Sequence, residues 1–139
     1  MYSSADKGIS QAYGKWLSGY QWDWFCTFTF RDEIKSPWAA HKAMRGWYKA
    51  MAKQMPCGMV YVIEPHTWRL AIHTHALVMF GAHLFAPMRK EAEKLWRWGW
   101  SAIYPCEEGA SYYVAKYVSK NVADWGILDE HKVLKGEGV

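Results

Sequence analysis

"LAIHTHALVMF", residues 70–80, is the stretch that decides how this 139-residue chain folds. Its run of apolar, β-branched and aromatic side chains predicts a strand. Because side chains two apart on a strand point to the same face of a sheet, His73 and His75 share one face and Thr74 points to the other. "MVYVIEP" (59–65) predicts a second strand. The short segment between the two strands predicts an antiparallel hairpin.

The segments on either side of the hairpin predict further elements. "WDWFCTFTF" (22–30) has the side chains of a strand, and "SAIYP" (101–105) has those of a short one. Helical spacing of apolar residues predicts helices over 38–54, over 86–100 and from about Ser111. The order β-α-β-β-α-(β)-α predicts an α+β single-domain sandwich, with a central antiparallel sheet and helices packed mainly on one face. The other face is then free for a ligand.

The first predicted helix carries two stripes of side chains. Ser36 suits its N-cap position and Pro37 its first turn. An apolar stripe predicts the buried face and consists of Ala40, Met44, Trp47 and Met51. A basic stripe is either a solvated face or a rail that contacts phosphate, and it consists of Lys42, Arg45, Lys49 and Lys53.

Composition narrows the classes of protein. The net charge of +4 permits a polyanionic partner without requiring one. No apolar run reaches the roughly 20 residues of a membrane span, and the N-terminus lacks the apolar segment of a secretory signal. Three distant cysteines argue against a disulfide framework or a zinc ribbon and fit a reducing cytosol. The ten Trp, nine Tyr and five Phe residues are either buried or form platforms on which unpaired bases stack.

The histidine pair has a carboxylate nearby. Glu64 ends the strand 59–65, so the hairpin places it close to His73 and His75. A buried carboxylate needs a partner, and a metal ion would provide one. Two imidazoles and one carboxylate with open positions are typical of a catalytic metal site, for which ligand type alone allows Zn²⁺. His66, in the turn, is either a fourth ligand or a surface residue.

"YVAKYVSKN" (113–121) contains Tyr-x-x-Lys twice. Residues four apart on a helix lie on one face about 6 Å apart, so Tyr113 and Tyr117 can be presented to one site. Lys116 and Lys120 on the adjoining surface would favour a phenolate and would stabilise a phosphoryl group under attack. One tyrosine could then take a DNA phosphate in covalent linkage. The alternative is an amphipathic helix that packs both tyrosines against the sheet.

Three blocks in this order resemble the HUH endonuclease superfamily: "FCTFTFR" (25–31), "EPHTWRLAIHTHALVMF" (64–80) and "YVAKYVSKN". In particular they resemble the gene A-type replication initiators of small single-stranded DNA phages and plasmid Rep proteins. Thr74 departs from the His-hydrophobic-His pattern of the superfamily, at a position that faces away from the metal.

The resemblance implies a metal-dependent endonuclease and strand transferase that initiates rolling-circle replication. Mg²⁺ or Mn²⁺ would be held by His73, His75 and Glu64 and would polarise the scissile phosphate. Tyr113, which we favour as the first nucleophile, or Tyr117 would attack it. The products would be a 5′-phosphotyrosine and a 3′-OH end for a polymerase.

The resemblance also implies partners and domain limits. The substrate would be single-stranded or hairpin origin DNA, and host helicase and polymerase would act with the protein in the bacterial cytoplasm, from a phage or plasmid gene. DNA contacts are expected from Lys42, Arg45, Lys49 and Arg69. The nuclease domain is expected over 1–122, followed by a C-terminal tail over 123–139 that is loosely ordered or begins a further segment.

Three other functions fit parts of the pattern. A transposase of the same superfamily would cut and rejoin element ends with the same residues. A non-catalytic module with an RRM-like sheet would bind single-stranded nucleic acid through its aromatic residues. A zinc-dependent hydrolase of small substrates would use the histidine pair but would leave both Tyr-x-x-Lys units without a role.

Overall fold

The structure is a computed structural model, and it describes residues 12, 15–17, 19–32, 36–65, 72–80, 89–107, 109–110, 114, 116 and 124–134. The strands and the longer helices, in chain order, are β1 (Trp24–Thr29), α1 (Pro37–Gln54), β2 (Cys57–Pro65), β3 (Ile72–Phe80), α2 (Arg89–Lys94), β4 (Ser101–Pro105) and β5 (Asp124–Leu128). Residues 12, 15–17, 110, 114 and 116 are also helical.

The strands form one five-stranded sheet in the order β4-β1-β3-β2-β5, with antiparallel pairing throughout. The strand that carries the two histidines, β3, is therefore central. It pairs with β2 as the predicted hairpin, with Glu64 opposite His73 and Val62 opposite His75. The predicted α+β architecture is confirmed.

Helix α1 begins and ends where its sequence predicts. The Ser36 side chain accepts a hydrogen bond from the Trp38 amide at 3.2 Å and caps the helix ahead of Pro37. The four residues of the apolar stripe are all buried. The first face of the sheet packs against α1 and α2, and the Trp47 indole donates a hydrogen bond to the Ala92 carbonyl at 2.9 Å. Replacing a buried tryptophan of this kind by alanine costs about 3–5 kcal/mol.

The second face of the sheet is partly covered. Val60, Val62 and Leu77 form a smaller apolar cluster there, which is covered by Leu17, Val114 and Leu134. The expectation of a wholly free second face was therefore wrong. The apolar cover lies against the middle and one end of β2 and β3, whereas Glu64 and His73 lie at the other end of these strands.

Helix α2 ends earlier than the predicted helix over 86–100, of which residues 86–88 lie outside the described residues. It covers Arg89–Lys94, and residues 95–100 run back along the end of β1, where the Arg31 amide donates to the Trp98 carbonyl at 2.7 Å. Ala92 and Trp96 are buried, as predicted. Backbone hydrogen bonds from Thr29 and Arg31 tie this stretch to the end of β1, and Gly99 allows the close approach.

Gly99 lies where two backbone segments meet, and its replacement tests that contact. A Cβ atom there would overlap the Thr29 carbonyl oxygen and would stand 2.7 Å from the Arg31 amide nitrogen. We expect Gly99→Ala to lower the free energy of unfolding in urea by about 2–4 kcal/mol. Gly109→Ala is the control, because its φ is +98° and no atom that the structure describes lies within 4 Å of its Cβ position. Gly109→Ala should lower the free energy of unfolding by only about 1–2 kcal/mol. An equal loss in Gly99→Ala would contradict the close backbone contact at Gly99.

The segment after residue 122, expected to be loosely ordered or to begin a further segment, contributes a strand. Asp124–Leu128 forms β5 and pairs with β2. His41 on α1 connects this edge to the core, since its Nδ1 lies 2.6 Å from the Tyr61 hydroxyl and its Nε2 3.3 Å from Asp124 Oδ2. Leu134 further on is 3% exposed, and its carbonyl accepts from the Tyr20 hydroxyl at 3.0 Å.

Candidate functional site

The two histidines lie on the second face of the sheet at the centre of a row of paired residues. His73 has Glu64 on β2 on one side and Thr29 on β1 on the other. His75 has Val62 and Thr27 as its neighbours in the next row. The period of two along each strand puts all these side chains on one face. The predicted proximity of Glu64 to the histidine pair is confirmed.

Three neighbouring side chains contact the His75 imidazole. Its Nδ1 lies 3.1 Å from Thr27 Oγ1, and its Nε2 lies 3.1 Å from Glu64 Oε2. The Phe25 ring stacks on the imidazole with 5.7 Å between the ring centroids and 12° between the planes. His75 is 8% exposed, so this ring is oriented by packing as well as by hydrogen bonds.

Burial lowers the pKa of His75 below its ordinary value, and the Glu64 carboxylate opposes that shift without cancelling it. The imidazole is therefore neutral near pH 7 and carries one ring proton. While Glu64 accepts a hydrogen bond from Nε2–H, Nδ1 accepts from the Thr27 hydroxyl. If Nε2 gives its lone pair to another ligand, Nδ1–H can donate to the same hydroxyl. The Thr27 hydroxyl can therefore hydrogen-bond to His75 in either tautomer.

The donor set is mixed in type: the carboxylate suits Mg²⁺ and Mn²⁺, and the imidazoles are typical ligands of transition metals. His75 Nε2 and Glu64 Oε2 already lie within 3.1 Å of each other. No three His, Cys, Asp or Glu side chains among the described residues converge closely enough to hold a metal as they stand. His73 is on the same face, and its imidazole would have to turn toward Glu64 to complete the set.

Thr74 points to the first face, as the strand period predicts. It is buried, and its hydroxyl donates to the Met44 sulfur on α1 at 3.2 Å. The polar side chain at this position is thus accommodated by the helix layer, and it takes no part in the arrangement around the histidines.

The tyrosine segment reaches the same face as the histidines at the points that the structure describes. Ala110 and Val114 pack into the cluster on the second face, and Val114 is fully buried. Lys116 is exposed. Tyr113, Tyr117 and Lys120 lie outside the described residues, so their predicted roles stay predictions.

Three of the four predicted DNA-contacting residues are not brought to the histidines. Lys42, Arg45 and Lys49 are exposed on α1, which covers the first face of the sheet, so they lie on the far side of the sheet from His73 and His75. Arg69 and His66 lie outside the described residues. The basic stripe stays a predicted surface for phosphate, separate from the histidine site.

Sequence reasoning missed several residues around the histidines. Thr27 and Phe25 contact His75 directly, and Tyr104 on β4 and Trp100 just before this strand are 55% and 58% exposed. Tyr104 pairs with Phe25, and the Trp100 carbonyl accepts from the Thr29 amide at 2.8 Å, which puts both exposed aromatic side chains on the second face. The alternation in "FCTFTF" (25–30) gave the one signal available, because it separates Phe25 and Thr27 from their buried neighbours.

Comparison with known proteins assigns the family. A family model of the ORF2 type of replication-associated protein matches residues 23–122, which include the histidine hairpin, the tyrosine segment and four of the five strands. The chain therefore belongs to this family of replication-associated proteins, whose role in replication implies interaction with DNA. No curated protein and no solved structure matches the chain. None of the helices that the structure describes has the length and hydropathy needed to cross a membrane.

Proposed function

We propose that this protein is an HUH-type endonuclease that cuts and rejoins single-stranded DNA at a replication origin. His73, His75 and Glu64 would hold Mg²⁺ or Mn²⁺, and Tyr113 or Tyr117 would supply the nucleophile. Family membership supports a role in replication rather than in transposition. The proposal explains why the central strand of the sheet carries two imidazoles opposite a carboxylate.

One observation carries the proposal: residues of the connection between β4 and β5 pack on the histidine face. These two strands form opposite edges of the sheet, about 19 Å apart at the usual strand spacing. The connection between them contains both Tyr-x-x-Lys units, and its residues Ala110 and Val114 pack on the second face. Packing of this kind supports the proposal that a nucleophile on the connection acts at the face that presents His73 and His75.

The chemistry that we propose is a transfer of the phosphodiester to tyrosine. The phenolate oxygen forms a bond to phosphorus while the bond from phosphorus to the 3′ oxygen breaks. That oxygen takes a proton and leaves as a 3′-OH, and the 5′ end stays attached to the protein. Mg²⁺ or Mn²⁺ held by His73, His75 and Glu64 would polarise the phosphate. Thr27 orients His75, and Lys116 and Lys120 would balance negative charge on the phenolate and the phosphate.

The test is formation of a covalent protein–DNA adduct. The protein is incubated with Mn²⁺ and a labelled single-stranded oligonucleotide that carries a candidate origin, and the products are separated on a denaturing gel. We expect a band that resists denaturant and disappears when EDTA replaces Mn²⁺. Absence of such a band with every origin from the native replicon would reject the proposal.

Thr27 gives a sharper prediction about the histidine site. Thr27→Val keeps the shape of the side chain but removes the hydroxyl that lies 3.1 Å from His75 Nδ1. Loss of such a contact to a ligand histidine typically costs about 10–100-fold in metal affinity or activity. We expect the Mn²⁺ concentration for half-maximal nicking to rise by that factor, with oligonucleotide binding unchanged. Thr27→Ser should retain nicking, and a normal Mn²⁺ dependence in Thr27→Val would exclude this role.

A second candidate function has an observation in its favour. The exposed aromatic side chains of Trp100 and Tyr104 lie on the histidine face, as they would in a sheet that binds single-stranded nucleic acid without cutting it. Such a module would bind the oligonucleotide without Mn²⁺ and would form no adduct, so the same gel distinguishes the two functions.

A further inference from the structure

We infer that a pocket beside the histidines binds one unpaired guanine of the single-stranded DNA. The described residues that line it are Phe25, Tyr104, Pro105, Glu107 and Ala110, and its volume is about 500 Å³. The inference rests on the proposed function in one respect, namely that single-stranded DNA lies across the second face of the sheet. It does not depend on cleavage.

The walls of the pocket suit a flat aromatic ligand. Phe25 and Tyr104 are paired across β1 and β4 and project from the same face, and Pro105 and Ala110 add apolar surface. Tyr104 is 55% exposed although it is a large aromatic residue. Stacking of bases on exposed aromatic rings is the common way in which proteins hold unpaired nucleotides, and the volume lies within the usual range for ligand pockets.

The pocket is continuous with the histidine site. The Phe25 ring that forms one wall is the ring that stacks on His75, with 5.7 Å between centroids. A single strand whose phosphate lies at His73 and His75 therefore passes directly beside the pocket. This continuity favours a base of that strand as the occupant.

The Glu107 carboxylate makes the pocket selective in two ways. It favours a base over a phosphate, and it favours guanine over the other bases. None of the five lining residues described is basic, and the Glu107 carboxylate would repel a phosphate. A carboxylate has two acceptor oxygens and no donor. Guanine presents two adjacent donors, N1–H and N2–H, on its Watson–Crick edge, whereas the other bases present fewer donors that a carboxylate can accept there. The backbone of Glu107 is anchored by its carbonyl, which accepts a hydrogen bond from the Ala110 amide at 3.2 Å.

The experiment measures binding without cleavage. Fluorescence anisotropy in EDTA compares a labelled all-thymine 20-mer with the same oligonucleotide carrying one central guanine, adenine or cytosine. We expect the guanine-containing strand to bind about tenfold more tightly than the all-thymine strand. Tyr104→Ala should weaken binding of the guanine strand about fivefold or more. Glu107→Gln, which keeps the shape of the side chain, should remove the preference for guanine and leave the all-thymine affinity unchanged.

The control variant is Ile127→Ala. Ile127 is 43% exposed on β5, at the opposite edge of the sheet from Tyr104, and its replacement should change none of the affinities. Equal binding of all four oligonucleotides, or a guanine preference that survives in Glu107→Gln, would overturn the inference. Displacement of the oligonucleotide by micromolar free dGMP would also overturn it and would indicate a site for nucleotides.

Failure of this inference is distinguishable from failure of the proposed function. A protein that prefers the guanine strand in EDTA but never forms a covalent adduct has the pocket without the nuclease activity. A protein that forms the adduct but binds all four strands equally has the activity without the pocket.

Discussion

We expect the double variant Tyr113→Phe/Tyr117→Phe to form no covalent adduct with single-stranded DNA, while each single variant still forms one. Each substitution removes a single hydroxyl and leaves the ring, so packing of the segment should not change. Without a phenol oxygen there is no atom to bond to phosphorus, and the expected effect is complete loss. The measurement is the denaturing gel with labelled oligonucleotide and Mn²⁺.

Tyr20→Phe is the matched control for the two tyrosines. The Tyr20 hydroxyl donates to the Leu134 carbonyl at 3.0 Å, and its removal takes away the same group without touching the proposed nucleophiles or the pocket. We expect its adduct to form normally. An adduct in the double variant would exclude Tyr113 and Tyr117 as nucleophiles, whereas loss of the adduct in one single variant would assign the first attack to that residue.

The second large effect is expected at the histidine pair. His73→Ala or His75→Ala should lower the rate of nicking at least about a thousandfold, because the scissile phosphate loses the cation that would polarise it. Binding of the oligonucleotide, measured by anisotropy, should be largely kept. Nicking assays over a range of Mn²⁺ concentrations separate weaker metal binding from loss of activity at saturation.

Two controls accompany the histidine variants. His131→Ala removes an exposed histidine in the turn after β5 and should nick normally. Thermal denaturation tests whether His75→Ala still folds, since that side chain is buried and hydrogen-bonded to Thr27 and Glu64. Full nicking by either His73→Ala or a folded His75→Ala would remove the metal assignment.

The hairpin could be predicted residue by residue because strand geometry leaves little freedom. The period of two determines that His73 and His75 share a face and that Thr74 does not, and a short connection determines that Glu64 lies next to them. The start of α1 was predictable for a similar reason, since Ser36 and Pro37 satisfy the local requirements of a helix N-terminus. In both cases the physical cause acts within a few residues.

The environment of His75 could not be predicted, because it depends on which strands are neighbours. β1 is far from β3 in the chain, and only its insertion between β4 and β3 brings Thr27 and Phe25 to the imidazole. Local alternation says which side chains share a face of β1, but it carries no information on strand order. The predicted end of α2 was wrong for the same reason. Residues 95–100 have helical spacing, but they form backbone hydrogen bonds with the end of β1 instead.

The fifth strand has a practical consequence for anyone who shortens this protein. The family match ends at residue 122, which invites a deletion there, yet β5 protects the backbone of β2 from Met59 to Ile63. Removing it would open a flat, largely apolar edge to pairing with another copy, the usual route to aggregation. A shortened chain that is meant to remain dispersed should therefore extend at least to Leu134.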